Sequence, residues 1–390
     1  MRLVGATAVA IISLIWLSHR RRRKSEVLIL DGGMGLELKM RKAQGLPVAY
    51  DLTLFSTAAL RETPDAIIQI HRDYIRAGCN VITTASYAVT NFYLDKVGER
   101  SRVEELAARS VRLAREARTA ERADATVLIA ASIPPLGESY HAAPLAPEEL
   151  RAQYAVLVRG LRGCDVYLCE TMGTLAEGLI AVDMCKAEHA NARVWLSFTP
   201  RRADPSELGE GGGVRISADG ATIYSCVEAA AARRVEAILF NCALAHQSPP
   251  SHAVYLAPFS LRVERYCIDA ASHTNLSLAR AGSTPEIIGA AIAEAVHVAA
   301  GRMRVGGYGN FWEESNRSNW SIEQNETVSG ARNQKAGGMV VRHDLTDAEY
   351  ACHACGWVRR GASIVGGCCG IGPGTMREVA RSIYNENARP

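Results

Sequence analysis

Residues 361–374, GASIVGGCCGIGPG, set a short apolar run, Ser363–Val365, directly before two glycines and two adjacent cysteines. A brief apolar run bounded by turn residues reads as a parallel strand covered on both faces. Back along the chain the pattern recurs at Val27–Leu30, Val81–Thr84, Thr126–Ala131, Val166–Cys169, Val194–Phe198, Ala237–Phe240 and Met303–Val305. Helix-like stretches separate these runs, among them Pro64–Ala77, Arg102–Ala120, Pro147–Leu161 and Pro285–Ala300. Pro64, Pro147 and Pro285 stand where a proline starts a helix well. Eight β-then-α repeats place the chain in the α/β class and predict a (β/α)8 TIM-like barrel. A doubly wound open sheet is the alternative, because periodicity alone does not show closure.

Two segments break the rhythm and read as inserted loops after strands six and seven: residues 247–283, and the polar, aliphatic-poor residues 312–338. Both follow strands, so both should rise from the face that carries a barrel's active site. With 390 residues, 48% hydrophobic and 22% charged, the chain can bury a large core. Residues 25–390 are expected to form the barrel domain. The formal charge of +3 belongs to the N-terminus, where Arg2, Arg20, Arg21, Arg22, Arg23 and Lys24 supply six positive charges and leave the rest at −3. A mildly acidic body with no basic stripe speaks against nucleic acid as a partner.

Residues 1–24 are set apart as an apolar and basic segment. Leu3 to Leu17 is uncharged and largely apolar, and SHRRRRK follows at once. The run is shorter than the roughly 20 residues of a comfortable membrane span, and its charge order is the reverse of a secretory signal. One reading is a membrane tether through residues 3–17 that leaves a cytoplasmic enzyme body. An organellar targeting segment and a mis-called start codon are the others. Eleven cysteines scattered through strand and helix contexts read as reduced thiols rather than a secreted disulfide framework.

Strand ends carry the chemistry of such a barrel. They present Asp31-Gly32-Gly33, Thr84-Ala85-Ser86-Tyr87, Glu170-Thr171, Asn241-Cys242 and Gly366-Gly367-Cys368-Cys369. Cys242, Cys368 and Cys369 therefore converge on one rim, and three thiolates with an open fourth position form a catalytic zinc pattern. Gly366, Gly367 and Gly370 let the backbone turn between them. A vicinal Cys368–Cys369 disulfide is the bland alternative. A closed four-cysteine site with Cys352 and Cys355 is the sharper one. Residues 345–361, however, read as an amphipathic helix leading into strand eight, which puts that CxxC at the strand's opposite end. Asp31 either binds substrate or shapes its turn. Glu170, ending an apolar strand, calls for a cationic partner. Asn241 either bonds substrate or ties down its loop, and Tyr87 either faces a donor pocket or packs in the rim.

LDGGMG (30–35), IHRDYIRAGCNVITTASY (70–87), ET (170–171), FNC (240–242) and above all GASIVGGCCGIGP (361–373) resemble the homocysteine S-methyltransferases. That family includes S-methylmethionine- and betaine-dependent enzymes and the homocysteine domain of cobalamin-dependent methionine synthase. The resemblance covers roughly residues 25–385. It implies a barrel whose Zn2+ is held by Cys242, Cys368 and Cys369, with Asp31 and Glu170 on the substrate's α-amino group. Gly32, Asn241 and Tyr87 are carried with them as substrate-site residues. No side chain is expected as nucleophile, because the zinc-bound homocysteine thiolate takes that role. The implied reaction is methyl transfer from a sulfonium donor to homocysteine, giving methionine, with S-methylmethionine favoured and S-adenosylmethionine second. Departures from the family pattern are GGYGNFW (306–312) in place of a proline-asparagine turn, which leaves Tyr308 and Asn310 without an assigned contact, and Thr171 where betaine enzymes carry an aromatic. Thr171 and an expected scarcity of aromatics at the rim argue against a cage for a quaternary ammonium. A betaine-dependent enzyme and a catalytically silent barrel with a structural or redox zinc-thiolate site are the alternatives. A complete cobalamin-dependent synthase does not fit in 390 residues.

Overall fold

Eight parallel strands close into a ring: β1 Leu28–Ile29, β2 Val81–Thr83, β3 Leu128–Ile133, β4 Val166–Met172, β5 Val194–Phe198, β6 Ala237–Asn241, β7 Arg304–Gly309 and β8 Ile364–Gly367. This computed structural model describes residues 27–207, 213–243, 284–310, 312–314, 339–341 and 345–387. The strands are hydrogen-bonded in the order β1-β8-β7-β6-β5-β4-β3-β2. A parallel bridge between Leu30 and Val81 joins the two ends, and the Asp31 N–H donates to the Val81 carbonyl at 2.9 Å. The open-sheet alternative is thereby set aside.

Eight helices cover the ring: α1 Pro64–Arg76, α2 Val103–Ala120, α3 Pro147–Gly160, α4 Leu175–Glu188, α5 Ile223–Ala232, α6 Thr284–Ala299, α7 Asp347–Arg359 and α8 Pro373–Asn387. Local sequence explains their starts. Proline opens α1 and α3, where its missing N–H costs nothing. Thr174 and Thr222 cap α4 and α5 through their hydroxyls, and Thr346 forms a capping box with Glu349 at α7. Apolar faces then bury against the sheet; α1 turns Ile67, Ile70 and Tyr74 inward. Each fully buried aliphatic or aromatic side chain of this kind contributes about 2 kcal/mol.

Burial falls into two shells. A large one, including Ile129, Phe198, Ile238 and Val365, lies between strands and helices. A small one, with Leu30, Val81, Ala130, Leu168, Trp195, Leu239 and Ile364, fills the barrel itself.

Several elements lie outside the sequence pattern. Helices Met34–Ala43 and Ser56–Glu62 precede α1 after β1, an excursion that carries no strong apolar period. A short antiparallel pair, Pro200–Arg202 with Val214–Ile216, follows β5. Trp312–Glu314 pairs antiparallel with Met339–Val341, so the excursion after β7 leaves and returns through one two-stranded ribbon. The expected insertion at 247–283, residues 1–24 and the remainder of 312–338 lie outside the described residues. Among the described residues no helix is long and apolar enough to cross a membrane.

Candidate active site

Side chains alternate in and out along each strand, and this places a polar ring above the apolar filling. Two residues beyond the inward Val81, Ala130, Leu168, Trp195 and Leu239 stand Thr83, Ser132, Glu170, Ser197 and Asn241. Strand β7 adds Tyr308, and Cys368 follows the end of β8.

Two carboxyl groups sit in this ring. Asp31 accepts the Thr83 N–H at 2.8 Å on one oxygen and the Thr83 hydroxyl at 3.0 Å on the other. Glu170 accepts the Ser132 hydroxyl on one oxygen and the Tyr308 hydroxyl, at 3.1 Å, on the other. Burial pushes the Asp31 pKa up to about 8; the Thr83 bonds oppose it and the Glu170 charge adds to it. Burial also raises Glu170, against the bonds from Ser132 and Tyr308. Among the described residues no lysine, arginine or histidine is hydrogen-bonded to either group. Two buried carboxyls without a cation form a place for one to arrive.

The three cysteines meet beside them. The sulfurs of Cys242, Cys368 and Cys369 all lie within 4.8 Å of one another and could hold one metal ion. Cys242 and Cys368 stand Sγ to Sγ as a disulfide, with Cα atoms 6.5 Å apart. The vicinal Cys368–Cys369 alternative is therefore not the pairing seen. Cys352 and Cys355 lie on α7 and are not in the cluster, so the closed four-cysteine alternative is set aside. The backbone explains how adjacent cysteines reach the rim. A Cβ on Gly33 would come 2.8 Å from the Cys368 carbonyl oxygen, and one on Gly32 would collide with the Ile371 carbonyl. Bare backbone at 32–33 thus lets the end of β1 press on the cysteine turn.

Thr171 and Cys242, which follow Glu170 and Asn241, are left-handed, at φ +61° and +46°. For a β-branched threonine this is strained and persists only where its surroundings hold it. The Asn241 side chain supplies that hold. Its oxygen accepts the Thr171 N–H at 3.2 Å and the Ser197 hydroxyl at 2.6 Å. Its nitrogen donates to Thr171 Oγ1 at 2.9 Å and toward Cys368 Sγ at 3.9 Å.

The Tyr87 hydroxyl meets Ser139 Oγ at 2.6 Å, in the loop after β3, and its electrostatic neighbours include Glu170, Tyr93 and Tyr140. The rim is richer in aromatics than expected. Tyr50 and Tyr93 lie close enough to Cys369 for its charge to add to the burial that pushes each hydroxyl up to about 12. Tyr93 packs edge-on against Phe55 and Phe92, with the Lys96 ammonium over the rings of Phe92 and Tyr93. The expected scarcity of aromatics is thus corrected: Tyr50 comes from a loop and Tyr93 from the short helix Asn91–Leu94, which no strand-end rule reaches. Thr83, Ser132 and Ser197 were missed as ring members, although counting on by two from the inward residues Val81, Ala130 and Trp195 would have found them, and Tyr308 was named without a contact.

With this geometry in place, comparison with known proteins is decisive: the homocysteine S-methyltransferase family model matches residues 28–383. The chain belongs to the homocysteine S-methyltransferase family. Membership makes it a methyltransferase of that class. The homocysteine S-methyltransferase of Escherichia coli K12 is 33% identical over 205 residues, 48% of this chain and 63% of that protein. Homocysteine S-methyltransferase 4 of Zea mays is 26% identical over 378 residues, 91% of this chain and 89% of that protein. Among solved structures, the metallated form of the E. coli homocysteine methyltransferase MmuM shares the fold. Its TM-score is 0.62 at 24% identity, over 93% of this chain and 98% of that one.

Proposed function

We propose that this family member transfers a methyl group from a sulfonium donor, S-methylmethionine foremost, to the thiol of homocysteine in a zinc-dependent reaction that yields methionine. The observation that carries the reading is the meeting of three cysteine sulfurs within 4.8 Å, available to a metal once the Cys242–Cys368 pair is reduced, beside two buried carboxyls that bond to no cationic side chain among the described residues. Three sulfur donors from two strand ends fit zinc, and they leave a position for a substrate atom. Bound there, the ion would supply Lewis acidity that keeps the homocysteine thiol ionised at neutral pH, where a free thiol of pKa about 8.5 is only a few per cent thiolate.

The protein's own groups handle the rest of the substrate. Asp31 and Glu170 receive the ammonium, each already oriented by Thr83 or by Ser132 and Tyr308. The arriving cation favours the ionised carboxylate, so a proton leaves the pair as substrate enters. Held at that end, homocysteine directs its sulfur toward the thiol triad. The sulfur attacks the donor's methyl carbon; a new C–S bond forms as the sulfonium C–S bond breaks, and the electron pair stays on the departing sulfur. Charge is neutralised on both partners. Asp31, Glu170, Gly32 and Tyr87 remain the substrate-site residues of this proposal.

Tyr50 and Tyr93 near Cys369 offer faces to any methylated cation, which makes betaine the second reading. S-methylmethionine is preferred over bulkier S-adenosylmethionine. A cytoplasmic site belongs to the same proposal, since a reducing compartment would open the Cys242–Cys368 pair to the thiols that ligate a metal. The test is methionine formation by the zinc-loaded full chain with homocysteine and each of the three donors. The highest kcat/KM is expected for S-methylmethionine and almost none for betaine. A clear betaine preference overturns the donor assignment, and no turnover with any donor overturns the function.

A further inference from the structure

We infer that Asn241 is a positioning residue that couples the three-cysteine cluster to the Glu170 carboxyl, because one amide ties the end of β4 to Cys368. The inference rests on the proposed zinc-dependent function. An asparagine side chain offers two donor hydrogens and two acceptor lone pairs, and here all four are engaged. Ser197 and the Thr171 N–H occupy the oxygen; Thr171 Oγ1 and Cys368 Sγ take the nitrogen's hydrogens. Fully buried and fully engaged, Asn241 has nothing left for a substrate, and this replaces the substrate contact expected from the sequence.

Its neighbours show what the amide holds. Thr171, clasped at both its N–H and its hydroxyl, is left-handed at φ +61°, and the residue before it is Glu170. Without the clasp, a β-branched residue relaxes to extended backbone, and the strand end that aims Glu170 moves with it. On the other side, Asn241 precedes Cys242, itself at φ +46°, and its N–H steadies the sulfur of Cys368. One side chain thereby sets the spacing between the group that receives an ammonium and the groups that receive a metal.

The experiment separates these two arms on the full chain. Zinc affinity is read by competition with a chromophoric chelator, and homocysteine affinity by calorimetry on zinc-saturated protein. Asn241→Ala is expected to weaken zinc binding by roughly tenfold or more, as loss of a ligand-orienting partner does, and to weaken homocysteine by a similar factor. Adding Thr171→Gly, which takes the left-handed conformation without strain, should restore most of the homocysteine affinity and leave zinc weak. A residue that only supports the fold would lower the unfolding temperature and leave both constants unchanged. Ser197→Ala, which removes one bond from the Asn241 oxygen, gives a milder perturbation if Asn241→Ala does not fold, with smaller losses in the same direction. Unchanged constants in the variant that folds, or no recovery on adding Thr171→Gly, overturn the inference. Wild-type protein that takes up neither zinc nor homocysteine overturns the functional reading, and the inference with it.

Discussion

Replacing Asp31 with asparagine should make the substrate-free protein more stable and its homocysteine binding weaker. The wild-type carboxyl is buried beside Glu170, and its pKa is raised from 3.8 to about 8. Because the folded-state pKa lies above the unfolded one, the native state holds the proton more tightly between these values. Stability from this group is intact below about pH 4, is lost progressively as pH rises, and levels off above about pH 8. At pH 7 the gap from 3.8 is about three units, worth about 4 kcal/mol at roughly 1.4 kcal/mol per unit. Relaxation and water entry reduce this, and about 2 kcal/mol is the working expectation. Asparagine resembles the protonated acid: its oxygen accepts the Thr83 N–H, and its amide donates to the Thr83 hydroxyl, so both bonds at 2.8 and 3.0 Å survive. Urea unfolding of wild type and Asp31→Asn from pH 5 to pH 8.5 reads the effect. The two curves should lie closest at the acid end and diverge as pH rises, with the variant more stable. Homocysteine affinity at pH 7 should fall about tenfold or more, since a neutral amide cannot pair with an ammonium. A variant less stable than wild type at pH 8 would show that Asp31 is ionised and paired in the empty site, which refutes the cation-receptor argument.

Further outcomes follow from the same geometry. Cys242→Ala, Cys368→Ala and Cys369→Ala should each lose the bound zinc, while Cys352→Ala and Cys355→Ala on α7 keep it; metal analysis of the purified variants decides. Glu170→Gln keeps its shape and loses its charge, so homocysteine binding should weaken by about 2 kcal/mol with zinc retained. An analogue lacking the amino group should bind this variant and wild type alike. Tyr308→Phe, which removes the 3.1 Å bond to Glu170 and the contact with the Ser197 hydroxyl, should raise the KM for homocysteine by about three- to tenfold, and an unchanged KM removes Tyr308 from the site. Gly33→Ala puts a Cβ 2.8 Å from the Cys368 carbonyl, so zinc affinity should fall even where the fold survives, as chelator competition will report.

The strand count and the placement of the candidate cysteines at strand ends were legible in the sequence because each follows from short-range order. Apolar runs such as Val194–Phe198 stand alone between helices, and GGCC sits one step past the last of them. Strand ends were read short. Strand β3 runs to Ile133, β4 to Met172 and β7 to Gly309, beyond the apolar runs that announced them. The reason is physical: in a closed barrel the ladder continues while the inward side chains turn polar, so hydrophobicity stops marking the strand where the chemistry begins. Which polar groups meet is a tertiary matter. Tyr308 reaches Glu170 across 138 positions of sequence, and Asn241 reaches Thr171 and Cys368 across 70 and 127. Tyr50, on a loop, and Tyr93, on the short helix Asn91–Leu94, come to Cys369 in segments that no strand period governs. The sequence by itself determined which residues could ligate a metal or receive a cation, because that is a property of side chains. Only ring closure decided which of them share a site, because hydrogen bonding across strands and burial without water exist only once the eighth strand has met the first.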